Sequence, residues 1–179
     1  MTASGRHKVG EELEVYIREL QRLLERLCRC LDGLGEAELN WRPLAPDANS
    51  LCVIATHVLG NAEAWVLGII CGQPVRRDRD AEFQARGASP KALVGRAKRL
   101  SEEFAAPLRA LPVAALDEKR RPARPQVGTG PTDELTVREA LMRVLVHGLL
   151  HVGQMQITRD LAIAAHPQGQ PERVTTGEP

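Results

Sequence analysis

The chain has 179 residues, enough for one domain with a sizeable core. Its formal net charge of +1, from 24 basic and 23 acidic side chains, removes the electrostatic case for nucleic acid or an anionic membrane as partner. Aromatic residues make up only 3%, too few for base-stacking platforms or a typical β-sandwich core, so a soluble globular fold of helices is expected.

The opening MTASGRHKVGEELE has no apolar stretch of the kind that secretory signals carry. No run of about 18 apolar residues goes uninterrupted, so no membrane span is expected. The expected location is the cytoplasm, with Cys28, Cys30, Cys52 and Cys71 as reduced thiols that lack metal-ligand spacing.

The first predicted helix runs from about Val9 to Leu34. Leu13, Tyr16, Ile17, Leu20, Leu23, Leu24, Leu27, Leu31 and Leu34 recur at steps of three and four, opposite a face of Glu and Arg. Gly33 and Gly35 end it. A linker, EAELNWRPLAPDANS, leads to an N-cap at Asn49 or Ser50. The second helix spans about Leu51 to Cys71, and within it only Glu63 is charged. Such a helix is buried on most sides, which makes each of its polar residues notable.

The run PVRRDRDAEFQARG reads as a solvated connection. Ser89-Pro90, a cap followed by Pro at the first helical position, starts a third helix to about Leu111, with Pro107 expected to kink or shorten its end. A Pro-, Gly- and Arg-rich loop follows. Thr136 and Glu139 then form a capping box that opens a fourth helix to about Ala165. There is no internal repeat and no alternating strand pattern. The reading is a single all-α domain over residues 1–166, a four-helix bundle, with residues 167–179 as a disordered tail.

Five histidines are present. His7 and His166 sit in polar terminal segments and read as solvated. His147 and His151 are four apart, so they project from one helix face about 6 Å apart along the axis and can share one metal ion. Gly148 stands where a zinc protease of the HExxH type carries its glutamate, which argues against that chemistry. His57 lies in the most apolar helix, where a neutral imidazole needs a partner for each ring nitrogen. A metal would satisfy one nitrogen. A core histidine bonded to a backbone carbonyl or to Glu63 satisfies the same requirement, and spacing alone leaves both readings open.

Asn61 and Trp65 follow His57 by one and two turns, and Gln154 shares the stripe of His147 and His151. They read as pocket residues or ligand-orienting groups, with plain core packing as the alternative for Trp65 and bonds to backbone at helix contacts as the alternative for Asn61 and Gln154. Gly148 and Gly153 read as sites of close helix packing. The runs Arg76, Arg77, Asp78, Arg79, Asp80 and Lys119, Arg120, Arg121, Arg124 read as solvated surface, or else as a pocket mouth that attracts an anionic thiol or carboxylate.

ANSLCVIATHVLGNAEAW with its downstream GQP, together with VLVHGLLHVGQMQITRD, LNWRP and RDRDAEF, resembles the DinB-like superfamily, which includes thiol-dependent transferases. The resemblance covers roughly Val9 to Ala165. It implies a four-helix bundle of up-down-down-up connectivity, frequent homodimers, and a three-histidine site for zinc, nickel or a similar divalent ion. His57 matches the ligand on the second helix, and His147 and His151 match the pair on the fourth. The implied activity is a metal-dependent thiol S-transfer, in which the metal binds a low-molecular-weight thiol as its thiolate and a small molecule is the substrate. A metal-dependent acyl or amide hydrolase and a non-catalytic metal-binding stress protein are the alternatives.

Overall fold

The computed structural model describes residues 3–44, 47–122 and 133–166. Helix α1, Ala3–Leu31, starts earlier than its apolar stripe requires and stops where Gly33 takes a φ of +70°. Its predicted stripe is buried from Leu13 to Leu31, while Leu34, past the helix end, is only half-buried. The expected linker contains a short helix, α2, Glu36–Asn40, whose first turn is capped by Glu38 Oε2 accepting from the Gly35 N–H at 3.0 Å. Leu39 anchors it and is fully buried.

Helix α3, Leu51–Ala62, is capped by Ser50, whose hydroxyl accepts from the Val53 N–H at 3.3 Å. It continues as a π-helical stretch, Glu63–Ile70, where an unbroken α-helix to Cys71 was expected. Residues 64–70 are buried on every side, so no polar face in the sequence fixes which helical register they keep. By length and composition Leu51–Ile70 could cross a membrane, but 83% of its most apolar stretch is buried inside the protein. It is the core helix of the bundle.

The presumed solvated connection holds helix α4, Arg79–Phe83, capped by Asp78 Oδ1 accepting from the Ala81 N–H at 2.9 Å. Helix α5, Pro90–Glu103, begins at the predicted Ser89 cap. It breaks at Phe104 and resumes as α6, Ala105–Arg109. Pro107 has no N–H for the Glu103 carbonyl, so the α-helical ladder cannot continue there. After a single 3-10 turn, Val113–Asp117, strand β1, Lys119–Arg120, pairs antiparallel with β2, Leu135–Thr136. No strand was expected. Arg120 pairs with Glu118 and Arg121 with Glu134, while Arg124 lies outside the described residues.

Helix α7, Val137–Ala165, opens with the predicted reciprocal box. The Thr136 hydroxyl accepts from the Glu139 N–H at 3.2 Å, and Glu139 Oε2 accepts from the Thr136 N–H at 2.8 Å. His166 is not simply solvated, because its Nδ1 donates to the Ala162 carbonyl at 2.9 Å and closes the helix end. The side chain of His7 and the expected disordered tail, residues 167–179, lie outside the described residues.

Helices α1, α3, α5 and α7 form the bundle, with α1 and α3 each packed against both α5 and α7. Helices α1 and α7 run in the same sense, since Arg138 pairs with Glu12 at one end and Arg159 donates to the Asp32 carbonyl at the other. Helix α3 runs against α7, because His57 meets His147 while Trp65, two turns on, lies by Arg143, one turn back. A β-carbon on Gly148 would sit 3.0 Å from Leu23 Cδ1 and closer still to Cδ2, so glycine there permits the tight approach of α1. Gly153 has open space instead and plays no such part.

Candidate metal centre

The opposed senses of α3 and α7 bring three histidines from sequence-distant positions to one point. One ring nitrogen from each of His57, His147 and His151 lies within 4.8 Å of the others, a group able to hold a metal ion. The Nε2 atoms of His57 and His147 are 3.1 Å apart, about the spacing of two ligands each ~2.1 Å from a shared ion. The rings stand nearly perpendicular to one another, at 74°, 81° and 84°, with centroids 4.5 to 5.2 Å apart. Stacked rings would turn their lone pairs away from a common point.

The second nitrogen of His57 is held by neither a backbone carbonyl nor Glu63. Its Nδ1 lies 2.8 Å from Glu82 Oε2, so the N–H donates to the carboxylate and Nε2 keeps its lone pair toward the other histidines. Glu63 instead pairs with Arg96 at 2.9 Å. Arg77 clamps the same carboxylate, with Nε 2.7 Å from Oε1 and Nη2 2.9 Å from Oε2. Nη2 also comes within 3.5 Å of His57 Nδ1, but two donors face each other there, so it is a contact and not a hydrogen bond. The side chains of Arg77 and Glu82 are 3% and 7% exposed, which corrects the reading of that segment as solvated surface.

Gly60 explains how Glu82 gets there. A β-carbon on Gly60 would sit 2.9 Å from Glu82 Cδ and closer still to Oε1, so the carboxylate occupies the volume a side chain would fill. Phe83, the next residue of α4, covers His57 with ring centroids 4.9 Å apart, and the Arg79 guanidinium lies over Phe83 at 4.7 Å. Neither Glu82 nor Arg77 was singled out from the sequence as bonded to a histidine. The signal was present but faint: an Asp cap three residues before Ala81, and a lone Phe inside a charged run.

Of the other sequence candidates, Gln154 does orient a histidine: its Oε1 lies 3.0 Å from His151 Nδ1, which frees Nε2. Trp65 is 4% exposed and belongs to the core, with the Arg143 guanidinium 5.7 Å from its ring centroid. Asn61 is half-buried one turn from His57 and makes no side-chain hydrogen bond among the described residues.

The electrostatics disfavour protonation of the two histidines on α7. Burial, reinforced by the neighbouring histidines and by Arg77 and Arg79, pushes the His147 pKa down from 6.5 to about 4. Burial also lowers that of His151, against the opposing hydrogen bond from Gln154. For Glu82, burial alone would raise the pKa, but the hydrogen bonds from His57 and Arg77 win and hold it below the ordinary carboxylate value. The lone pairs of His147 and His151 are therefore available at neutral pH.

The same shifts set the acid response of the metal-free protein. Between pH 6.5 and about 4 the unfolded chain takes up a proton that folded His147 refuses, so stability is lost as pH falls through that range. Glu82, with its pKa lowered by folding, adds a loss of the same sign at the acid end. Thermal melts in chelator at pH 7, 5.5 and 4.5 should show a steady fall in Tm, and a flat series would contradict the neutral, buried imidazole.

Residues 16–163 match the family model described as mycothiol-S-transferase. Among solved structures, a DinB-like protein from Bacillus cereus ATCC 10987 is similar at 17% identity, with a TM-score of 0.65, covering 83% of this chain and 91% of that one. A conserved protein from Enterococcus faecalis is similar at 17% identity and a TM-score of 0.61, covering 84% and 96%. At that identity they show a shared fold. A comparison with curated proteins returned no match.

Proposed function

This chain belongs to the mycothiol-S-transferase family, and on that premise we propose that it transfers a group between a small electrophile and a low-molecular-weight thiol, using a divalent ion held by His57, His147 and His151. The observation that carries this reading is the convergence of three imidazole nitrogens within 4.8 Å, two of them with the opposite ring nitrogen already engaged. Zinc and nickel both suit an all-imidazole donor set. A cation held there would acidify a thiol that reaches it, so that thiolate is populated near neutral pH.

The rest follows from the chain's own side chains. Glu82 and Gln154 fix the rings of His57 and His151, so little reorganisation is needed when a ligand arrives. Arg77 neutralises Glu82, and imidazole ligates a metal in its neutral form, so the positive charge of an ion held there would be left for an incoming anion to balance. That charge balance favours a thiolate over a neutral ligand. In the transfer itself the thiol proton goes to solvent, the sulfur forms the new S–C bond, and the leaving group departs with the bonding pair. An acyl or amide hydrolase would want a general base for water, and Glu82, the carboxylate beside the histidines, is fully engaged with His57 and Arg77.

Zinc- or nickel-loaded protein should consume a generic electrophile such as 1-chloro-2,4-dinitrobenzene in the presence of mycothiol, and the rate should fall to background after chelation. Rates with mycothiol, glutathione and cysteine that all equal those of metal-free protein would sink the transferase reading.

A further inference from the structure

Helix α7 is apolar on its outer face as well as its inner one. The inner face packs into the bundle through Leu141, Val144, Val152 and Met155. Yet of the eight large apolar side chains left exposed among the described residues, six belong to this helix, at 43% to 71% exposure. Five of them, together with Gly153, form one seam: Met142, Val146, Leu150, Gly153, Ile157 and Leu161. It runs about 30 Å along the helix. A helix that is apolar all round is ordinarily covered on every side. Residues 123–132 and 167–179 are unsuited to cover it, since their only large apolar side chains are Val127 and Val174.

The spacing of the seam names the occupant. Its steps are four, four, three, four and four, so the pattern reads the same from either end. An antiparallel copy of the same helix, related by a two-fold axis at the centre of the seam, meets it in register. Met142 then faces Leu161, Val146 faces Ile157, and Leu150 faces Gly153. The central pair is complementary in shape. Leu150 is the most exposed residue of the seam, while a β-carbon on Gly153 would meet nothing within 4 Å. The same register sets Asp160 against Arg143, which are of opposite charge. A parallel pair would set each residue against itself, Leu150 on Leu150 and Asp160 on Asp160. We propose that the outer face of α7 is a homodimer interface, packed antiparallel against α7 of a second copy of this chain. Stable dimers bury about 800 Å² per partner. The stems of Arg26 and Arg29, which border Leu149 and Gly153 on the α1 side, widen the helical seam toward that area.

Size-exclusion chromatography with light scattering on the full chain should give twice the 19.6 kDa mass of one copy. Leu150→Glu and Gly153→Leu should each weaken the dimer by about 10²-fold or more, because every change enters the interface twice. Both positions are open in a single copy, so the monomers that result should keep the helical circular dichroism of the parent. The register has its own test. Val146→Cys/Ile157→Cys should be joined into a covalent dimer by a short bis-maleimide well above the parent's background, and neither single variant should be. A parent that stays monomeric at micromolar concentrations, with or without affinity for phosphatidylcholine vesicles, overturns the proposal. So does a dimer that survives both Leu150→Glu and Gly153→Leu, and crosslinking of the single variants would overturn the antiparallel register.

Discussion

Replacing His57 by alanine is expected to abolish stoichiometric metal binding, with affinity falling by about 10²-fold or more. Structural zinc sites with four ligands bind with roughly 10–16 kcal/mol, which is about 3 kcal/mol per ligand, and a site of three can spare none. His57 is also the ligand with the strongest support, since its ring is fixed by Glu82 on one side and covered by Phe83 on another. His147→Ala should lose metal comparably while leaving the Glu82–Arg77 pair intact, which separates ligand loss from damage to the ion pair. Competition with a chromophoric chelator, and metal content after dialysis, report both. Full stoichiometry in the two variants would dismantle the triad.

Glu82→Ala is expected to act twice. It removes the carboxylate that the Arg77 guanidinium, 3% exposed, is paired with, and breaking a buried pair in this way costs about 3–5 kcal/mol of stability. It also leaves His57 free to rotate or change tautomer, which should weaken metal binding about 10- to 100-fold. Gly60→Ala should reproduce the metal defect with both charged residues still present, because its methyl group needs the space of the carboxylate. The double variant Arg77→Leu/Glu82→Leu should recover most of the stability but none of the affinity, since two apolar side chains satisfy packing without holding an imidazole. Chemical denaturation read beside metal competition distinguishes these outcomes. A Glu82→Ala protein within about 1 kcal/mol of the parent and with unchanged affinity would show that the network is incidental.

The four long helices were legible from apolar patterns sustained over many turns, and three of them also from a recognisable cap: Ser50, Ser89 and Thr136. Pro107 even located the break between α5 and α6. Helices α2 and α4 were not legible, since five residues span little more than one turn and cannot show a period. The π-helical stretch escaped for the opposite reason: Ala64–Ile70 is apolar throughout, and a helix with no polar face carries no record of its register. At the site, i,i+4 spacing exposed His147 and His151, but their meeting with His57 is a tertiary fact that only the family resemblance anticipated. Gln154 shares that stripe, and its Oε1 lies 3.0 Å from His151 Nδ1. Glu82 and Arg77 were hidden because a buried ion pair looks, in one dimension, like any other charged run.

Helices α1 and α7 lie at opposite ends of the described chain, yet they are packed together along their length, tied by Arg138 to Glu12 across 126 positions and by Arg159 to Asp32 across 127. Contacts so remote in sequence close late, because the entropy of gathering the intervening chain must be met before they form. On the ribosome, at about 5–20 residues per second, Leu23 would wait roughly 6–25 s for Gly148 to be synthesised. Through that interval the apolar face of α1 has no final partner. The three histidines share the delay, since His57 precedes His147 by 90 positions. An ion that needs all three could therefore be held only after α7 has been made, and a chain cut before α7 would present α1 and α3 to chaperones as open apolar surface.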